Sequence, residues 1–141
     1  MSKSIKFKNE VYWDSTSITH NKELLSTKII NSSGSNSNGS WIKFEDGTMI
    51  CYNTFQATAD ISLAWSYIYY GYIEGKKYYA HPFISKPMVQ ITTDNNGTTT
   101  FGFSSTICTV TATYIESIPI IRGSKNTWNG YVHVLAIGKW K

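Results

Sequence analysis

Apolar and polar residues alternate with a period of two in this chain, and turn residues interrupt the pattern every ~8–12 positions, which constrains the fold more than any other feature of the sequence. Ile61, Leu63, Trp65, Tyr67 and Tyr69 alternate with Ser62, Ala64, Ser66 and Ile68. Cys108, Val110, Ala112 and Tyr114 alternate with Ile107, Thr109, Thr111 and Thr113, and Tyr131 to Ile137 reads as a last strand. Composition agrees: 17 Ile and 5 Val stand against 4 Leu and 6 Ala, with 10 Tyr, 6 Phe and 16 Thr. β-Branched and aromatic residues suit a pleated, half-buried surface, whereas Leu and Ala favour helices. The predicted fold is all-β, an antiparallel β-sandwich or jelly-roll-like domain of seven or eight strands with a short N-terminal appendage.

The strongest local signal is Trp41-Ile42-Lys43-Phe44-Glu45-Asp46-Gly47-Thr48-Met49-Ile50-Cys51-Tyr52. Asp46-Gly47 between alternating runs predicts a two-residue hairpin that sets Phe44 opposite Met49 and Ile42 opposite Cys51, with Cys51 in the core. Upstream, residues 31–40 contain only Asn, Ser and Gly. With nothing to bury, this run reads as a flexible linker between an N-terminal segment, 1–30, and a main domain, 41–141. Two short strands and two helical turns are expected within 1–30, a piece too small to fold alone and therefore suited to attachment or oligomerisation. In the main domain, Asp94 to Gly97 predicts a turn with Thr98 to Ser104 as its return strand, and Arg122 to Gly130 a polar loop.

With 13 Lys and Arg against 9 Asp and Glu, the net charge is +4 and the basic residues are scattered. That speaks against nucleic-acid binding, which calls for clustered cations on one face. No run is long and apolar enough for a membrane-spanning helix, so no membrane insertion is expected. The basic start, Met1 to Lys8, lacks an apolar h-region and a cleavage site, so no secretory signal is predicted. Cys51 and Cys108 read as buried free thiols.

Motifs for catalysis are missing. Gly102-Phe103-Ser104-Ser105-Thr106 lacks the spacing of a nucleophile elbow, the carboxylates are isolated near turns, and His20, His81 and His133 share no ligand spacing. These features predict a protein that is not an enzyme and takes no metal or cofactor. Ring surface is abundant instead: Trp65, Tyr67, Tyr69, Tyr70, Tyr72, Tyr78, Tyr79 and Trp128. Rings stack on sugar C–H faces while neighbouring amides and cations hold hydroxyl or anionic groups. Trp128 with Asn126, Asn129 and Lys125 in the polar loop is the first candidate ligand site, and Tyr78 with Tyr79 the second.

Gly39 to Tyr52 resembles the hairpin that opens the C-terminal heads of bacteriophage tail-fibre and receptor-binding proteins. The ending Val134-Leu135-Ala136-Ile137-Gly138-Lys139-Trp140-Lys141 resembles the final strand of such heads. Pro82-Phe83, Pro87-Met88-Val89 and Thr111-Ala112-Thr113 fall where those heads carry comparable runs. Residues 5–14 with Leu24-Leu25 are similar to the segment that precedes the heads in tail proteins of phages of Gram-positive bacteria, and the whole chain resembles such a head or that of a related tail-like particle. The resemblance implies a β head located at the virion tail, usually a homotrimer, joined to other tail or baseplate proteins through residues 1–30. It also implies recognition of a host cell-wall or surface saccharide without catalysis. Alternatives are a structural tail or baseplate subunit and a polysaccharide depolymerase.

Overall fold

The computed structural model describes residues 29–94 and 108–141. The expected N-terminal strands and helical turns, and the return strand at 98–104, lie outside the described residues. Those described form β1 (Ile30–Asn36), β2 (Gly39–Phe44), β3 (Thr48–Ile61), β4 (Leu63–Trp65), β5 (Ile68–Ile73), β6 (Lys77–Tyr78), β7 (Met88–Asp94), β8 (Thr109–Val110), β9 (Tyr114–Glu116), β10 (Ile118–Arg122) and β11 (Asn126–Lys139). All pairings are antiparallel, in a five-stranded sheet of order β1-β2-β3-β11-β7 and two three-stranded sheets, β10-β5-β4 and β6-β9-β8. The chain is all-β and sandwich-like, as the alternation predicts.

Its spine is the β3–β11 ladder, in register from Thr48 opposite Lys139 to Ile61 opposite Asn126. Period-two alternation along both strands sends Met49, Cys51, Ala59 and Ile61 inward from β3, and Trp128, Val132, Val134 and Ala136 inward from β11. The smaller sheets close the core with Ile73, Ile115, Ile118 and Ile120, and the 79–83 passage adds Tyr79 and Phe83. Tyr79 packs edge-on against Phe83 with ring centroids 5.2 Å apart. Cys51 is buried as expected, and both cysteines are free thiols. The Cys51 Sγ–H donates to the His81 carbonyl at 3.5 Å, and that of half-buried Cys108 to the Glu116 carbonyl at 3.3 Å. Burial raises both thiol pKa values.

The Asn/Ser/Gly run is not a linker. It forms β1, a two-residue turn and the start of β2, with Gly34 opposite Trp41 and Ser35 opposite Ser40. Backbone ladder bonds need no apolar side chain, so a sequence with nothing to bury still adds a strand at a sheet edge. A Cβ on Gly34 would overlap the Trp41 ring, so a larger residue there would require that ring to shift. Asn36 Nδ2 fastens the turn by donating to the Ala80 carbonyl at 2.8 Å.

The β2–β3 hairpin differs from expectation by one residue. Lys43 pairs with Met49 and Trp41 with Cys51, leaving Glu45-Asp46-Gly47 as a three-residue turn. The Gly47 N–H donates to the Phe44 carbonyl at 3.1 Å, and Gly47 alone of the three has positive φ, +84°. The cause is the Asp46 carboxylate, which accepts the Thr48 N–H at 2.7 Å and the Thr48 hydroxyl at 3.0 Å. That arrangement holds Asp46 in an ordinary conformation where a type I′ turn requires a positive φ. Slipping by one exchanges the faces of β2, so Trp41 and Lys43 turn inward and Ile42 outward. The Lys43 ammonium then meets His81 Nε2 at 2.9 Å and lies 5.0 Å from the Trp140 ring centroid.

The Thr48 backbone and hydroxyl donors, with Lys139 and Lys141 nearby, hold the Asp46 carboxyl below its usual pKa. A depressed pKa means the carboxylate stabilises the turn fully above the unfolded-state value of about 4 and loses that contribution as pH falls through the folded value. Carboxyl-carbon NMR titration of Asp46 is therefore expected to show a midpoint below that of an unstructured aspartate. Thr48→Val, which removes the hydroxyl donor, is expected to raise it.

A second difference is at 61–69. The alternating run is not one strand: β3 ends at Ile61, and the chain reverses at Ser66-Tyr67 so that Trp65 pairs with Ile68. Ser66 takes φ +54°, the first-position geometry of a two-residue hairpin turn. Even-numbered residues thus join the outward face after the turn, and Tyr69 leaves it.

Candidate ligand-binding surface

The four residues grouped around Trp128 do not form a site. Trp128 is 1% exposed and lies in β11, opposite Ala59. Its neighbours explain why: Trp128, Gly130, Val132, Val134 and Ala136 continue one inward-facing series, and Asn129 falls between them on the outward face. The predicted loop from Arg122 to Gly130 is thus only a tight connection followed by the first residues of β11. Asn126 accepts from Arg122 Nη1 at 2.6 Å, Asn129 from Gln56 Nε2 at 3.3 Å, and the Lys125 ammonium lies 5.5 Å from the Tyr69 ring centroid. Of the second pair, Tyr78 is exposed, while Tyr79 is buried at 7% exposure and its raised pKa follows from desolvation. A core ring has no free face for a ligand, so Trp128 and Tyr79 leave the candidate site.

Rings collect instead on the outward face of the β10-β5-β4 sheet, where Trp65 is exposed and Tyr70 and Tyr72 are half-buried. Strand pairing sets Leu63 opposite Tyr70, Trp65 opposite Ile68, Tyr72 opposite Pro119 and Tyr70 opposite Ile121. Trp65, Ile68, Tyr70, Tyr72, Pro119 and Ile121 line a groove of about 260 Å³. Tyr70 and Tyr72 meet edge-to-face, with centroids 5.8 Å apart and planes at 86°. At the hairpin tip Trp65 is 66% and Tyr67 94% exposed. Pro119 is tolerated because β10 is an edge strand, where the missing N–H costs no ladder bond.

None of the groove's lining residues is charged, and its polar atoms are the Trp65 indole N–H and the tyrosine hydroxyls. It suits a ligand with an apolar ring face and hydroxyl edges, of monosaccharide size rather than drug size. Trp65, Tyr70 and Tyr72 were among the ring residues evident in the sequence, but the parity change at Ser66-Tyr67 that puts them on one face was not. On the outward face of the large sheet, Thr54 Oγ1 and His133 Nδ1 lie 2.9 Å apart. Among the described residues, no group of three or more His, Cys, Asp and Glu side chains is placed to hold a metal ion, and no helix is long and apolar enough to cross a membrane.

No protein-family model matches this chain, and no curated protein does. Among solved structures, a C-terminal fragment of the P. aeruginosa R1 pyocin fibre matches 98% of this chain with a TM-score of 0.50 and 12% identity. The match takes in 35% of the fragment. At that identity the likeness is one of fold, and by fold this chain is similar to part of a pyocin fibre.

Proposed function

We propose that this protein is the receptor-binding head of a tail-fibre-type particle, phage or tail-like bacteriocin, and that it recognises a host surface saccharide without catalysing a reaction. The observation that carries the reading is the uncharged ring groove on a fold shared with a fibre fragment. Stacking of Trp65, Tyr70 and Tyr72 on sugar rings gives affinity without any reactive group. Residues 1–30 join the head to other tail proteins in this reading.

The test is adsorption of purified protein to host cells or wall polymer. Trp65→Ala is expected to weaken binding by about 1–3 kcal/mol, the range for losing one aromatic stack or hot-spot contact. Melting temperature should change little, since the ring is two-thirds exposed. Unchanged adsorption by the variant would remove the groove from the receptor site. Release of reducing ends from the polymer would replace this function with depolymerisation.

The assembly proposed is a homotrimer. Tyr52, Met88, Tyr131 and Leu135 lie exposed on the outward face of the five-stranded sheet, apolar surface that a further copy would cover. Light scattering coupled to size exclusion is expected to give three times the 15.9 kDa chain mass. A monomer mass at micromolar concentration would refute it.

A further inference from the structure

Strand pairing gives the ring groove two chemically unlike sides. Ile68, Tyr70 and Tyr72 of β5 form its centre line. On the β4 side stands Trp65, opposite Ile68, and its indole N–H with the Tyr70 and Tyr72 hydroxyls makes up the polar side-chain atoms of the lining. On the β10 side stand Ile121, opposite Tyr70, and Pro119, opposite Tyr72. Pro119 is fully buried and Ile121 half-buried, so this side is an aliphatic wall with Ile121 at its surface. Neither side chain has a donor or acceptor, and Pro119 has no backbone N–H either. Arg122 follows on the same strand, but it pairs with Tyr69, so alternation assigns it to the opposite face, and its guanidinium donates to Asn126 at 2.6 Å.

We infer that the groove selects a sugar bearing a methyl group, carried as an acetamido or a 6-deoxy substituent, over the parent sugar that has a hydroxyl there. Selection of this kind rests on the saccharide reading of the groove and adds what would discriminate within it. A hexose stacked along the Tyr70–Tyr72 line, with hydroxyls toward Trp65, extends its other edge over Ile121. A hydroxyl on that edge gives up water and finds no side-chain partner, which costs free energy. A methyl group in the same place removes apolar surface from water on both partners and gives up no hydrogen bond. Ile121 is then a specificity-determining residue, distinct from the rings whose faces stack on any sugar.

The experiment is NMR titration of the full chain with two sugar pairs: N-acetyl-D-glucosamine against D-glucose, and D-fucose against D-galactose, which differ only in the 6-hydroxyl. The methyl-bearing member of at least one pair is expected to bind about tenfold tighter, the lower end for one methyl group in an apolar pocket, because the groove is open to solvent. Preference within the first pair alone would assign the acetamido group, and within the second alone the 6-deoxy carbon. In the same complex, saturation transferred from the protein should be strongest at the sugar's methyl protons. Ile121→Thr keeps a β-branched, strand-compatible residue but sets a hydroxyl on the aliphatic wall, and is expected to erase most of the preference. Equal affinities within both pairs, strongest transfer to ring protons instead of the methyl, or full preference in the threonine variant would each overturn the inference while leaving the groove a sugar site. No shift of groove resonances with any of the four sugars would overturn the saccharide reading itself, and the methyl selection with it.

Discussion

Trp128→Ala is expected to destabilise the domain by about 3–5 kcal/mol, the cost of truncating a large buried aromatic side chain. The ring is among the largest fully buried side chains and belongs to the same cluster as Met49, Ile61 and Val132. Deleting it leaves a void that β3 and β11 cannot close, because their ladder is fixed on both sides of the site by backbone pairing. Denaturant unfolding should show a lower midpoint with an unchanged slope. Where the variant remains folded, ligand affinity should equal that of the parent. A variant of parental stability with a binding defect would reverse this assignment and return Trp128 to the ligand site.

The second large effect is expected at Gly71. It lies in β5 where the strand passes the end of β3, and a Cβ there would overlap the Asp60 carbonyl oxygen and carbon. Both sides of that contact are backbone, so the clash is relieved only by moving β5 away from β3. Gly71→Ala is accordingly expected to cost about 2–3 kcal/mol, at the upper end for overpacked sites. Gly123→Ala is the control, since nothing lies within 4 Å of a Cβ at that position. Equal melting temperatures for the two variants would refute the close packing of β5 against β3.

Period two was enough to identify an all-β chain and to assign Cys51 to the core, because the fully buried residues along β3 and β11 are apolar. Three features escaped it, each for a physical reason. Turn chemistry decided the first register: whether Asp46-Gly47 makes a two- or three-residue turn depends on Asp46 accepting from Thr48, a bond that residue type alone does not select. Parity decided the second, since a two-residue reversal at Ser66-Tyr67 exchanges the faces of an otherwise continuous alternation.

The third feature is polarity on the outward face. Asn126, Thr127 and Asn129 look like loop residues, yet in β11 they accompany an inward-facing Trp128. The Asn/Ser/Gly run misleads in the same way, its backbone making a strand that its side chains do not announce. The ring groove was visible as a list of residues but not as a surface.

The long β3–β11 ladder also gives the domain a polarity. Ile29 accepts a bond from the Glu45 N–H, and Trp140 donates to the Gly47 carbonyl, so both ends of the described chain sit beside the β2–β3 turn. Gly71 packs against Asp60, at the opposite end of β3. A strand of 14 residues separates the two places, roughly 40 Å at the usual rise per residue. A carrier joined beside the turn would therefore hold the molecule by its base and present the sheet bearing Trp65 and Tyr70 at the far pole. Tension between a surface gripped at that pole and the carrier would run along the β3–β11 hydrogen-bond ladder and load it in shear, its bonds sharing the force together instead of parting one at a time.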